Sequence, residues 1–382
     1  MKILFVVNNF YASGNGLSAS ARRTAGFLEK AGDEVKVLSG PNPDPDGPRP
    51  DFQLKTFSVP VFDGIIKAHG YKFAKSDKEI IRRAVEWADV VHLEEAFYIQ
   101  YLSARSAKKL GKPCTATYHL HPENLFCSLH LGWWKFLNHG LLGLWRDLVF
   151  NYCSDIQCPT QNVLDRLRRF HFKSRLHLIS NGIIPDESIR RPQAVQQSPF
   201  VVVCIGRYAV EKDPFTLLNA MRHSRHANDI QLIFSGRGPE ADKLKAKADK
   251  ICRELQLTHK PAFVFSDRNY LRELAATADL YVHCAKVEVE GLSALEALQQ
   301  GIVPVIASGR LTATSQFALD ERSLFPAGDP VALAARIDYW YEHQEERALM
   351  GPRYAESTKA YDIDLSVSAL RAMFVRAAGE KS

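Results

Sequence analysis

A chain of 382 residues, 46% hydrophobic and 24% charged, is too long for one ordinary core and predicts two packed domains in a soluble protein. Its seven cysteines, an odd number with no Cys-x-x-Cys pair, exclude a disulfide framework or a zinc site and point to a reducing compartment. The net charge of +6 arises entirely in the first 185 residues, and a basic half suits phosphate-bearing partners: nucleotide, anionic lipid or nucleic acid.

The chain opens on an apolar run, Met1–Val7, that stops at Asn8-Asn9, short of the roughly 7–15 residues of a signal-peptide core. No stretch approaches the roughly 18 apolar residues of a membrane span, so a cytoplasmic protein is expected, free or resting on the inner face of the cell membrane. Strands are predicted at Lys2–Asn8, Glu34–Leu38, Asp89–Leu93, Pro113–Tyr118, Asp155–Cys158 and Leu176–Ile179. Leu17, Ala21, Ala25 and Leu28 recur at helical spacing between the first two. Ser39–Asp51, with its Pro-x-Pro repeats, reads as a loop, and Lys67, Lys72, Lys75, Lys78, Arg82 and Arg83 read as a phosphate-seeking patch or a solvated helix face.

Ile184–Pro199, rich in proline, charge and glutamine, reads as a linker, and a second strand series follows it. These strands are Phe200–Ile205, Ile230–Phe234, Ala262–Phe265, Leu280–His283 and Val303–Ile306, with helices over 214–222, 239–255, 269–277, 292–300 and 330–347. The expected fold is α/β: two Rossmann-like, doubly wound domains, 1–185 and 195–364, facing across a cleft at their strand carboxyl ends. A C-terminal helix near 365–382 is expected to pack back on the first domain.

The segment Val287–Leu298 leaves a strand and opens a helix, so the amides of Gly291 to Ser293 would form an anion site. Glu288 and Glu296 offer carboxylates for sugar and ribose hydroxyls. Ser293-Ala294-Leu295-Glu296 also matches a capping box, which would reduce Glu296 to a structural cap. Arg207 and Lys212, in Gly206–Asp213, follow another strand. Ser13-Gly14-Asn15-Gly16 follows the first strand, where Gly14 and Gly16 would let backbone amides approach a diphosphate. Gly14 and Gly16 also formally satisfy a dinucleotide fingerprint, but the first glycine comes late and the second strand lacks the terminal acid.

The Glu288–Glu296 spacing resembles the Glu-x7-Glu signature of retaining family-four glycosyltransferases of the GT-B fold, and Gly206–Asp213 resembles that family's Gly-Arg-(x4)-Lys-Gly motif. Glu290 stands where the family commonly has Phe, and Asp213 where it commonly has Gly. The resemblance implies Arg207 and Lys212 on the donor diphosphate, Glu288, Gly291 and Leu292 on the sugar, and Glu296 on the ribose. It also implies His119, at the end of a strand, beside the reacting carbon. No match is found over Gly309–Asp320, where the family has a Gly-Gly-x-x-Glu stretch.

No metal is expected, because the His119/His121 pair, with His130 and His139 beyond it, lacks a carboxylate or Cys at ligand spacing. The implied activity needs no cofactor beyond its nucleotide-diphosphate sugar, a UDP-sugar or GDP-sugar. Residues 129–150 carry Trp133, Trp134 and Trp145 among leucines, Lys135 and Arg146, which suits a bilayer interface on the acceptor side or else a core helix. The implied function is hexosyl transfer to a lipid, lipid-linked or soluble sugar in glycolipid or surface-polysaccharide synthesis, with no nucleic-acid partner. A sugar-nucleotide epimerase of the same fold and a non-catalytic polysaccharide-assembly protein are the alternatives.

Overall fold

A computed structural model describes residues 1–12, 16–57, 71–129, 131–186, 199–265 and 268–379. The chain forms two units. The first comprises Met1–Phe126, Leu131–Gly182 and Ile363–Ser382; the second comprises Cys127–His130 and Ile183–Asp362.

The first unit is built on β1 (Lys2–Val6), β2 (Glu34–Ser39) and β3 (Phe52–Gln53), then a β4 (Thr56–Phe57) and β5 (Phe73–Ala74) antiparallel pair. It continues with β6 (Val90–Leu93), β7 (Cys114–Thr117), β8 (Asp155–Cys158) and β9 (Arg175–Leu178). Seven of these make a parallel sheet in the order β3-β2-β1-β6-β7-β8-β9. β1 and β6 are buried almost throughout, because helices cover both faces of a parallel sheet and each strand needs a continuous apolar run.

The second unit holds β10 (Phe200–Ile205), β11 (Ile230–Ser235), β12 (Ala262–Val264), β13 (Leu280–His283), β14 (Val303–Ser308) and β15 (Leu324–Pro326). They pair in parallel in the order β12-β11-β10-β13-β14-β15, around a core that includes Val202, Phe234, Tyr281, Val305 and Trp340. The chain reverses its strand order beside β1 and again beside β10. In open α/β sheets such a point leaves a crevice at the strand carboxyl ends. Gly206-Arg207 leaves β10 at this edge, and Glu288 follows β13.

Several local expectations change. The helix expected over 330–347 is two, Pro330–Glu342 and Gln344–Ser357. The first ends because the His343 ring stacks on Tyr339 and its Nδ1 lies 2.8 Å from the Tyr339 carbonyl, drawing His343 out of helical geometry. The second was hidden by Gly351-Pro352, which sits inside it; a Cβ on Gly351 would lie 2.3 Å from the Gly301 carbonyl. β15 was missed because it is three residues long and ends in proline at a sheet edge. Part of the basic cluster is a solvated helix face: Arg82 on Lys78–Trp87 pairs with Glu79 and Glu86. Gly14, Lys67, His130 and residues 187–198 of the expected linker lie outside the described residues.

The middle of the first sheet carries a buried histidine. His92 Nδ1 and Nε2 each lie 2.9 Å from a threonine hydroxyl, Thr115 and Thr117 respectively, and Phe374 packs edge-on over the ring. Burial pushes its pKa down to about 4. The unfolded chain, near 6.5, therefore holds the proton more tightly. Stability from this group is complete above about pH 6.5 and falls by roughly 3 kcal/mol as the pH drops towards 4. Urea unfolding at about pH 7.5 and pH 5 should show about 2 kcal/mol of this loss in the native chain and a much smaller one in His92→Gln.

Candidate active site

The second unit brings Arg207, Lys212 and Glu288 to the crevice beside β10. After β10 the chain turns through Gly206 into a short helical turn, Val210–Lys212, and ends it at Asp213, whose φ of 47° is left-handed. The guanidinium of Arg207 donates to buried Glu211 at 2.6 Å. The Glu211 carbonyl accepts from the amides of Lys286, at 2.8 Å, and Val287, at 3.3 Å. Two crossed ion pairs close the same two loops on each other: Lys212 with Glu288, and Lys286 with Asp213 at 2.7 Å. Asp213, standing where glycine is common in the family it resembles, thus adds a tie between the loops that glycine would lack.

Burial alone would push the Glu288 carboxyl up. The Lys212 ammonium and the His283 imidazole outweigh it and hold the group well below the usual carboxylate range. His283 Nε2 lies 3.4 Å from Glu288 Oε2. On the far side of the ring the Tyr281 hydroxyl lies 2.9 Å from Nδ1.

The segment for which the sequence offered no match braces this loop. The amide of Glu288 donates to the Leu311 carbonyl at 2.8 Å, and that of Ala313 donates to the Glu288 carbonyl at 3.2 Å. Thr314 donates to the Glu290 carbonyl at 3.1 Å. Glu290 itself is buried. Gly291, at φ 91° and ψ 57°, then caps the helix Leu292–Leu298 without a side-chain hydrogen bond. The capping box expected at Ser293 therefore does not form: Ser293 is already inside the helix, and its hydroxyl reaches the Ile205 carbonyl at 3.5 Å. Glu296 is half-buried on that helix.

In the first unit, His119 follows β7 and its Nε2 lies 2.6 Å from Glu94 Oε2, both side chains being buried. Burial would raise the Glu94 carboxyl, but the hydrogen bond and charge of His119 lower it. Neighbouring Glu95 behaves oppositely. Burial raises its carboxyl despite hydrogen bonds from Tyr71, Asn8 and Gln100. Glu94, His283 and Thr314 were missed because each acquires meaning only from the strand or loop beside it.

Gly16 begins the helix Gly16–Lys30 and is exposed. His121 packs on Tyr118, and His139 packs on Phe170. Among the described residues no group of three His, Cys, Asp or Glu is placed to hold a metal ion. None of the seven cysteines is in a disulfide.

The tryptophans divide. Trp133, Trp134 and Phe136 are 55%, 61% and 86% exposed, and Leu144 and Leu148 continue an outward stripe along the helix Lys135–Leu148. Trp145 does not belong with them. It is 5% exposed and packs edge-on against Phe97, since helical spacing turns it to the face shared with Asn138 and Leu142. No described helix is long and apolar enough to cross a membrane.

Two family models tile the chain: "Glycosyltransferase Family 4" over residues 14–187 and "Glycosyl transferases group 1" over 185–356. The chain is 24% identical to alpha-monoglucosyldiacylglycerol synthase of Streptococcus pneumoniae, across 81% of this chain and 71% of that protein. It is 27% identical to GDP-mannose:cellobiosyl-diphosphopolyprenol alpha-mannosyltransferase of Xanthomonas oryzae, across 80% of this chain and 78% of that protein. Among solved structures, HepE of Anabaena in complex with UDP and glucose superposes with a TM-score of 0.73. The match covers 98% of this chain and 100% of that one, at 15% identity.

Proposed function

Because the chain belongs to the family-four type of GT-B glycosyltransferases, we propose that it moves a hexose from a UDP- or GDP-sugar to a lipid or lipid-linked acceptor, with retention and without a metal ion. The observation that carries the reading is the Lys212–Glu288 pair beside β10, with Arg207 on the same loop. As the bond from the sugar carbon to the diphosphate breaks, negative charge grows on the leaving oxygens. Fixed cations there stabilise the transition state more than the ground state. Arg207 and Lys212 supply those cations in place of a divalent ion. Glu288, with Gly291 and Leu292, receives the sugar, and Glu296 the ribose. Gly16, and Gly14 outside the described residues, are assigned to the donor diphosphate. The family resemblance assigns His119, held by Glu94, to the positive charge that develops at the sugar carbon.

Relatives named for diacylglycerol and diphosphopolyprenol acceptors support a lipid partner, and the HepE complex supports a nucleotide-sugar donor. The exposed stripe of Trp133, Trp134, Phe136, Leu144 and Leu148, with Lys135 and Arg146 beside it, fits peripheral attachment to an anionic membrane. The triple substitution Trp133→Ser, Trp134→Ser and Phe136→Ser should weaken flotation with phosphatidylglycerol vesicles by at least about 100-fold, since three large apolar side chains leave the lipid. Unchanged flotation rejects the membrane face.

The deciding experiment incubates the chain with UDP-glucose or GDP-mannose and vesicles containing diacylglycerol or a polyprenyl-diphosphate sugar. The expected product is an α-linked glycolipid, read by NMR. A β-linked product rejects retention. A new nucleotide sugar formed without acceptor identifies an epimerase, and no turnover of any donor identifies a non-catalytic protein.

A further inference from the structure

Glu288 has two partners in the second unit, Lys212 and His283, and on the donor reading the first is required elsewhere. When a diphosphate draws the Lys212 ammonium to itself, the carboxylate loses its strongest counter-charge while staying in a largely buried seat. A buried carboxylate without a partner either takes up a proton or swings away. Either outcome would spoil an acceptor aimed at a sugar hydroxyl.

His283 is built to prevent it. It is the last residue of β13, and its ring is enclosed. Burial keeps the Tyr281 phenol protonated. With that hydroxyl donating to Nδ1, the remaining ring proton belongs on Nε2, which lies 3.4 Å from both the acceptor-only Glu288 carboxylate and the Thr314 hydroxyl. Thr314 in turn holds the Glu290 carbonyl, so one pair of side chains fastens both the carboxylate and the backbone of the loop. An apolar residue would fill the same core space but could not donate to Glu288.

We propose that His283 is the positioning residue that keeps the Glu288 carboxylate aimed at the donor sugar once the diphosphate has taken Lys212, an inference that rests on the donor reading above. His283 touches neither the sugar nor the diphosphate. It acts through Glu288, so its removal should harm recognition of the sugar and spare recognition of the nucleotide.

The test compares the wild-type chain with three variants chosen by reach. In His283→Gln the amide nitrogen lies as many bonds from Cβ as Nε2 does and can still donate to Glu288. In His283→Asn the amide reaches only the place of Nδ1, and His283→Leu offers no polar atom. Calorimetry with UDP and UDP-glucose, and in parallel GDP and GDP-mannose, measures each nucleotide with and without its sugar. Turnover is read with the same two donors.

Expected are nucleoside-diphosphate affinities within about twofold of wild type in all three variants. His283→Asn and His283→Leu should lose about 10-fold or more in nucleotide-sugar affinity and about 10–100-fold in kcat, the worth of a hydrogen bond to a charged group. His283→Gln should stay within about threefold of wild type in both. If all variants keep the wild-type ratio of sugar-nucleotide to nucleotide affinity, or if Asn and Gln behave alike, His283 is only a core residue and the proposal is overturned. If His283→Leu does not fold, the Asn and Gln pair decides alone. If the wild-type chain binds none of the four nucleotides, the donor reading itself falls and takes the inference with it.

Discussion

Substituting Lys212 with Ala is expected to lower kcat/KM for the nucleotide sugar by about 10³-fold, and the loss should deepen as the pH falls. Removing one preorganised partner of the leaving group costs about 10²–10³-fold in systems of this kind. Lys212 is also the largest of the influences that lower the Glu288 carboxyl, so its loss leaves His283 alone to oppose burial and that carboxyl titrates higher than in the native chain. In the native chain Glu288 stays ionised throughout the neutral range. In the variant its charge is lost as the pH drops through a raised value, so the acid limb of the kcat/KM profile moves to higher pH. Glu288→Gln should separate the two roles. It frees the Lys212 ammonium from its internal partner, so UDP or GDP should bind as tightly as before or more tightly, while kcat falls by about 10²-fold or more. Equal losses of nucleotide affinity in both variants would reject the division of labour assigned to the pair.

Placing a methyl group on Gly291 should have the largest effect on stability. The left-handed φ of 91° disfavours a side chain by about 1–2 kcal/mol. The added Cβ would also lie 2.5 Å from Thr314 Oγ1 and 3.0 Å from its Cγ2, which costs typically 1–3 kcal/mol more when the surroundings are tightly packed. Gly291→Ala should therefore destabilise the second unit by about 3 kcal/mol, seen as a lower urea midpoint. Thr314→Ala in the same background should recover part of the loss by relieving the clash but not the backbone strain. A midpoint unchanged in Gly291→Ala would show that the loop accommodates the methyl group by moving.

The parts of the candidate site that the sequence proposes are those whose meaning is local. Arg207, Lys212, Glu288 and Glu296 stand at fixed intervals after predicted strands, and the strand pattern itself is written in apolar runs that burial on both sheet faces requires. His283 and Glu94 could not be found in that way. Each looks like an ordinary strand-end residue until the fold brings it to Glu288 or to His119. Thr314 lies in a stretch with no family match and gains its role from a carbonyl 24 residues away. The tryptophans failed as a group for a related reason. Composition counted three aromatics on one segment, whereas helical phase sends Trp145 inward and Trp133 and Trp134 outward.

The helix Ile363–Gly379 belongs to the first unit although every residue of the second unit's main body precedes it in the chain. Arg371 binds Asp33, which also takes the N-terminal ammonium, and Phe374 lies over His92. During synthesis, the half that begins first is thus completed last, and the ring of His92 waits uncovered while some 180 intervening residues are made. A fragment ending at Gly182 would lack a wall of its own core. Residues 363–379 would have to be grafted behind Gly182 before the first unit could be prepared alone.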